Sequence, residues 1–93
     1  MIQKKIAKVT SDYFGVKISE LQSPSRQRRL AWPRHICMYL ADNLKVKKSD
    51  IGRFWKRDRT AVYNAVMRVE AAMETDKKLL KEIKNISNDL IRK

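Results

Sequence analysis

Apolar residues recur at every third or fourth position along almost the whole of this 93-residue chain, and only two glycines and two prolines interrupt them. A period near 3.6 lines up one face of a helix, whereas a half-buried strand needs a period of two. The spacing therefore predicts an all-α fold of five or six helices. No internal repeat or low-complexity linker appears, and the length fits a single domain over residues 1–93.

The first helix is expected over Ile2–Phe14, with Ile2, Ile6, Val9 and Tyr13 on its buried face and Gly15 as its C-terminal cap. A short helical turn is expected at Ser19–Ser23, with Ser19 as N-cap and Leu21 pointing inward. Ser23-Pro24-Ser25-Arg26-Gln27-Arg28-Arg29 reads as a basic loop. A long helix then covers about Arg29–Leu44, with Pro33 in its first turn and a stripe of Ile36, Cys37, Leu40, Ala41 and Leu44. Ser49 is a candidate cap for a short helix holding Ile51, Gly52 and Phe54, and a tight turn follows at Trp55-Lys56-Arg57. Asp58 caps a helix from Arg59 to about Met73, its inner face formed by Val62, Ala65, Val66, Val69 and Met73. The last helix spans about Asp76–Ile91, with Leu79, Ile83, Ile86 and Leu90 in register to pack on the first.

Charge narrows the function. Lys and Arg total 22 against 10 Asp and Glu, a net +12, while 43% hydrophobic residues suffice for a core. A folded domain this basic points to a polyanion, with nucleic acid ahead of a membrane surface. One cysteine (Cys37) and one histidine (His35) exclude a disulfide within the chain and a Cys-rich zinc site. Two glycines, Gly15 and Gly52, cannot build a Gly-rich phosphate loop. No apolar run is long enough for a membrane span, and the lysine-interrupted start lacks a signal-peptide pattern. The expectation is a soluble intracellular protein that binds no cofactor or metal, is not an enzyme and makes no membrane contact.

The short helix, tight turn and second helix between Ser49 and Met73 have the proportions of a helix-turn-helix. From Pro24 to Arg59 there are 11 Lys and Arg against 3 Asp and Glu, a net +8, so positive charge is densest where the motif lies. Arg57, Arg59, Thr60 and Ala61 cluster at the start of the second helix, where side chains reach base edges in a major groove, and Asn64 lies one turn on.

These residues resemble the C-terminal DNA-binding domain of the bacterial replication initiator DnaA. The shared frame is Ala31, Pro33 and Arg34 opening the long helix, Ile51-Gly52, then Arg57-Asp58, Thr60, Val62 and Ala65. It covers about Ile2 to Ile91. The resemblance implies that Arg26, in the basic loop, enters the minor groove. It places Arg28 and Arg29 beside the DNA backbone, Arg34 on a phosphate, and Asp58 and Thr60 in the signature of the recognition helix. Lys48, Lys56 and Arg57 complete the expected phosphate contacts. Three positions depart from the family: the signature histidine is Arg59, its second threonine is Ala61, and the Gly-containing turn before it is shortened to Lys56. Arg59 suits a bidentate pair with guanine O6 and N7, worth about 1–3 kcal/mol of discrimination. The expected DNA site therefore differs from the initiator's box.

Opening on Met1, the chain reads as a short protein in its own right, a monomer that binds double-stranded DNA, with two copies pairing on DNA as the open alternative. Its expected role is a transcription or replication regulator without ATPase activity, or a competitor for initiator sites. The alternative is a protein-interaction module that uses the last helix or a Trp32/Trp55 surface to bind the initiator or a polymerase subunit. Trp32 reads as a half-buried anchor or a stacking residue, Trp55 as core or turn packing and Cys37 as core. His35 reads equally as a phosphate contact or a surface side chain. Lys77, Lys78, Lys81 and Lys84 read as a solvated face or a second basic patch.

Overall fold

The computed structural model describes residues 2–92 as six helices: α1 (Ile2–Phe14), α2 (Ile18–Leu21), α3 (Arg28–Asn43), α4 (Lys48–Trp55), α5 (Arg59–Thr75) and α6 (Lys77–Arg92). No strand occurs among the described residues. Helix α3 is central and touches α1, α2, α4 and α5, while α6 closes the bundle over α1 and α5. Leu79, Ile83, Ile86 and Leu90 are all buried there, as their spacing predicts. Asp76 starts α6 by accepting the Lys78 and Leu79 amides at 3.0 and 3.2 Å.

The buried face of α1 is rotated from the expected one. Ile6 and Val9 are buried, but Ile2 and Tyr13 are 40% and 39% exposed. Gln3, Ala7, Thr10 and Ser11 are buried in their place. Gln3 earns its position chemically, because its Nε2 donates to the Asp50 carbonyl of α4 at 3.2 Å. The end of α1 follows the expected rule: Gly15 has φ +67°, and the Val16 amide bonds back to Ser11 O at 3.0 Å.

Three other boundaries differ. Helix α2 begins at Ile18, not behind a Ser19 cap, because the Glu20 carboxylate accepts the Lys17 amide at 3.0 Å. That bond, and then Arg29, hold the Glu20 carboxyl below its ordinary range. Helix α3 starts at Arg28, which puts Pro33 beyond the first turn, where its ring removes the bond to the Arg29 carbonyl. Its stripe is extended by Leu30 and Met38 and stops at Ala41. Leu44 is exposed because the chain turns there, with Lys45 at φ +70° and Val46 N bonded to Ala41 O at 3.1 Å. Helix α4 starts at Lys48 with no side-chain cap, so Ser49 lies inside it.

Cys37 is a core residue; burial pushes its thiol up to about 12, opposed by the Thr10 hydroxyl. Trp55 is fully buried, with Phe54 edge-on at 5.0 Å.

Candidate nucleic-acid interface

The turn between α4 and α5 is set by two residues. Lys56 takes the left-handed conformation (φ 56°, ψ 45°), a position that favours glycine. A single residue therefore reverses the chain, and the Arg57 amide bonds to Gly52 O at 2.8 Å. Gly52 is required for a different reason. A Cβ there would stand 2.5 Å from the Arg57 carbonyl oxygen. The missing side chain lets the turn press against α4.

Helix α5 then opens on Asp58, whose carboxylate accepts the Ala61 amide at 2.8 Å. That oxygen is committed to the helix start, so Asp58 is a cap before it is a groove reader. Arg59, Thr60 and Asn64 are exposed and Ala61 is half-buried, all on or beside the outer face of α5. The inner face is Val62, Ala65, Val66 and Val69, with Met73 half-buried behind them. Two exposed residues of this helix were not singled out in the sequence: Tyr63 (49%) and Met67 (63%). Their spacing between buried positions carried that signal, since both fall outside the arc of the wheel that holds Val62, Ala65, Val66 and Val69.

The basic loop is fastened rather than free. Arg34 is only 4% exposed. Its Nε donates to Leu21 O at 2.6 Å, Nη2 to Ser23 O at 3.0 Å and Nη1 to Ser25 O at 3.2 Å. Where the sequence placed Arg34 on a DNA phosphate, the structure turns its donors to the loop. Arg57 works similarly, with Nη1 on Trp55 O at 2.6 Å and Nη2 on Ser23 O at 2.9 Å. Two guanidiniums thus converge on one carbonyl. Burial, and then the neighbouring Arg57 charge, lower the proton affinity of Arg34. It still carries its charge, as an arginine does in proteins.

The remaining expected backbone residues divide. Arg26 and Lys56 are exposed. Arg28 is exposed and lies 5.8 Å over the half-buried Trp32 ring. Arg29 pairs with Glu20 at 3.2 Å while keeping most of its side chain in solvent. Lys48 is not the free ammonium the sequence suggested. It bonds Asp42 at 2.8 Å and sits 4.7 Å over the Tyr63 ring, tying α3, α4 and α5 together. The Asp42 hydrogen bond raises its proton affinity.

Between the loop, the start of α3 and α5 runs a trough. One part, about 600 Å³, is lined by Arg26, Arg34, His35, Lys56, Arg57 and Arg68 together with Pro24, Ser25 and Ala31. An adjoining part of about 430 Å³ shares Arg26, His35 and Arg68 and reaches Arg28 and Trp32. Among the described residues no carboxylate lines either part. Arg68 was also missed in the sequence, because only the packing of α5 against α3 brings it opposite His35. Among the described residues no group of three or more His, Cys, Asp or Glu is placed to hold a metal ion, and no helix is long and apolar enough to cross a membrane.

Comparison with known proteins agrees with this arrangement. The family described as "Bacterial dnaA protein helix-turn-helix" matches residues 3–69. The chromosomal replication initiator protein DnaA of Anaplasma marginale is 45% identical over 85 residues, covering 89% of this chain and 17% of that protein. That of Ehrlichia ruminantium is 42% identical over 93 residues, covering 98% of this chain and 19% of the initiator. That of onion yellows phytoplasma is 34% identical over 86 residues, covering 91% and 17%. The chain thus spans less than a fifth of the length of these relatives. With a helix-turn-helix, a fastened basic loop and a family match over residues 3–69, the chain belongs to the bacterial DnaA helix-turn-helix family of DNA-binding domains.

Proposed function

We propose that residues 1–93 act as one sequence-specific duplex-DNA-binding domain that regulates transcription or replication without nucleotide-driven assembly. In this reading Arg59, Thr60, Ala61 and Asn64 read the major groove, with Asp58 fixing the helix start that presents them. Arg26 enters the minor groove. Arg28, Arg29, Lys56 and Arg57 hold the backbone. The chain acts as a monomer on the nucleoid of the bacterial cytoplasm and competes for initiator-type sites.

One observation carries the reading. The loop that bears Arg26 and the turn that opens α5 are joined at a single atom, the Ser23 carbonyl, by Arg34 from α3 and Arg57 from the turn. The two reading elements are therefore held at a fixed spacing before DNA arrives, which lowers the ordering cost of binding. The charge without counter-charge in the trough supplies the attraction to the backbone.

The test is fluorescence anisotropy at physiological salt with a duplex carrying the initiator's box and a scrambled duplex of the same bases, with and without ATP. A preference of ~10³-fold or more, the lower range for specific binders, is expected, unaffected by ATP. Equal affinity for the two duplexes would mean that Arg59, Ala61 and the shortened turn have moved the site, and failure of selection from random duplexes to enrich any sequence would refute the reading. Arg59→Ala is expected to relax discrimination at one base pair by about 1–3 kcal/mol; a uniform loss over all sequences would reassign Arg59 to the backbone.

A further inference from the structure

His35 and Arg68 line the trough but are not among the DNA-contacting residues assigned above. His35 lies half-buried on α3, its ring edge-on to Trp32 at 6.1 Å, and it lines both parts of the trough. Arg68 faces it from α5, exposed, on the flank that looks toward α3. Around them stand Arg26, Arg34, Lys56 and Arg57, and among the described residues no carboxylate lines the space. Charge held together by the fold without a counter-ion repels itself in the free protein, and a bound anion relieves that repulsion.

We infer that the trough is a phosphate seat, in which one phosphodiester of bound duplex DNA lies against His35 with Arg68 as the opposite wall. This rests on the DNA-binding reading and deepens it, since it assigns two residues outside the helix-turn-helix signature to the backbone. A phosphodiester suits the site because its charge is shared by oxygens that accept hydrogen bonds from several directions.

A consequence separates this seat from a merely basic surface. In the free protein, burial and then the charges of Arg68, Arg34 and Arg57 hold His35 below the ordinary histidine range, so the ring is neutral near pH 7. A phosphate beside it offsets those charges and offers the protonated ring an acceptor. Binding therefore takes up a proton, and affinity rises as the pH falls toward about 6. The charged groups facing the ring are Arg28 and Arg34 from α3, Arg26 from the loop, Lys56 and Arg57 from the turn and Arg68 from α5. Arginine and lysine side chains keep their charge through that interval, so the linkage reads the histidine.

His35 is the only histidine in the chain, so its imidazole C–H signals in proton NMR need no assignment. The full chain is titrated free and saturated with the box duplex. An upward move of the His35 midpoint by about one unit, tenfold in proton affinity, is expected; the same midpoint in both states overturns the seat. In a second arm, Arg68→Gln lowers the log–log salt slope of duplex binding by about 0.9, the value of one phosphate, with the box-over-scrambled preference kept. Arg68→Lys retains the slope. A slope unchanged in Arg68→Gln overturns the seat as well. Equal binding of box and scrambled duplexes by the unmodified chain defeats only the preference for the box, because any duplex brings phosphates. Failure to bind either duplex at low salt overturns both.

Discussion

Replacing Arg34 by methionine separates a loop clamp from a DNA contact. Methionine has a similar reach and no donors. Arg34 makes three hydrogen bonds from a charged donor, each worth about 1.5–3 kcal/mol. The net loss is smaller than their sum. Removing a buried guanidinium relieves its desolvation and its repulsion with Arg57. The Ser23 carbonyl keeps its bond from Arg57, and the Ser25 carbonyl is on an accessible loop. The Leu21 carbonyl has no such recourse, and an unsatisfied buried acceptor costs about 1–3 kcal/mol. With the loop loosened as well, the expected loss is about 2–4 kcal/mol, against a typical total of about 5–15. Thermal unfolding followed by circular dichroism should show a midpoint lower by roughly 10–30 °C, at ~4–8 °C per kcal/mol for a chain of this size. The salt slope of DNA binding should stay nearly unchanged. An unmoved midpoint together with a slope smaller by about 0.9 would refute the reasoning and return Arg34 to the DNA backbone.

Three other substitutions probe the turn and the core. Lys56→Gly removes the left-handed strain of a side chain at φ 56° and should raise the melting midpoint by several degrees, for about 1 kcal/mol, while weakening DNA binding through the lost trough cation. A lower midpoint would show that the Lys56 side chain itself supports the turn. Gly52→Ala forces a methyl to within 2.5 Å of the Arg57 carbonyl and should cost about 1–3 kcal/mol in a denaturant titration, with a wild-type midpoint counting against the close approach. Cys37 should resist a thiol reagent in the folded chain and react on unfolding. Its thiol is protonated up to about 12 when folded but ionises near 9 when unfolded, so it contributes stability that is full below pH 9 and falls as the pH rises toward 12. Cys37→Ala should flatten that part of the pH–stability curve relative to the unmodified chain.

How much was legible differs by the range of the interaction. Helix number and type followed from local periodicity, and local chemistry also gave Gly15 as a stop, Asp58 as a cap and the inward stripe of α6. The family frame was legible too, because Ala31, Pro33, Arg34, Ile51-Gly52 and Arg57-Asp58 stand at recognisable spacing. The polar members of the buried α1 face were not. Gln3 and Thr10 break the apolar pattern, and nothing local announces that a carbonyl of α4 waits for Gln3.

Arginine carried the greatest ambiguity. By charge alone Arg26, Arg34, Arg57 and Arg68 are interchangeable, and a sequence sorts them only by nearness to a motif. Packing sorts them by what they reach. Arg34 is enclosed by the loop it holds, Arg57 bridges turn and loop, Arg26 is left outside, and Arg68 is brought across α3 to His35. An all-helical, strongly basic helix-turn-helix is legible from local pattern alone, because helix formation and net charge depend on near neighbours and on counting. Which cations fasten the loop and which remain for an anion is chosen by the packing of the helices. That choice turns on carbonyls and helix flanks up to 34 residues distant along the chain, as in the Arg57–Ser23 bond, and such partners meet only when the helices pack.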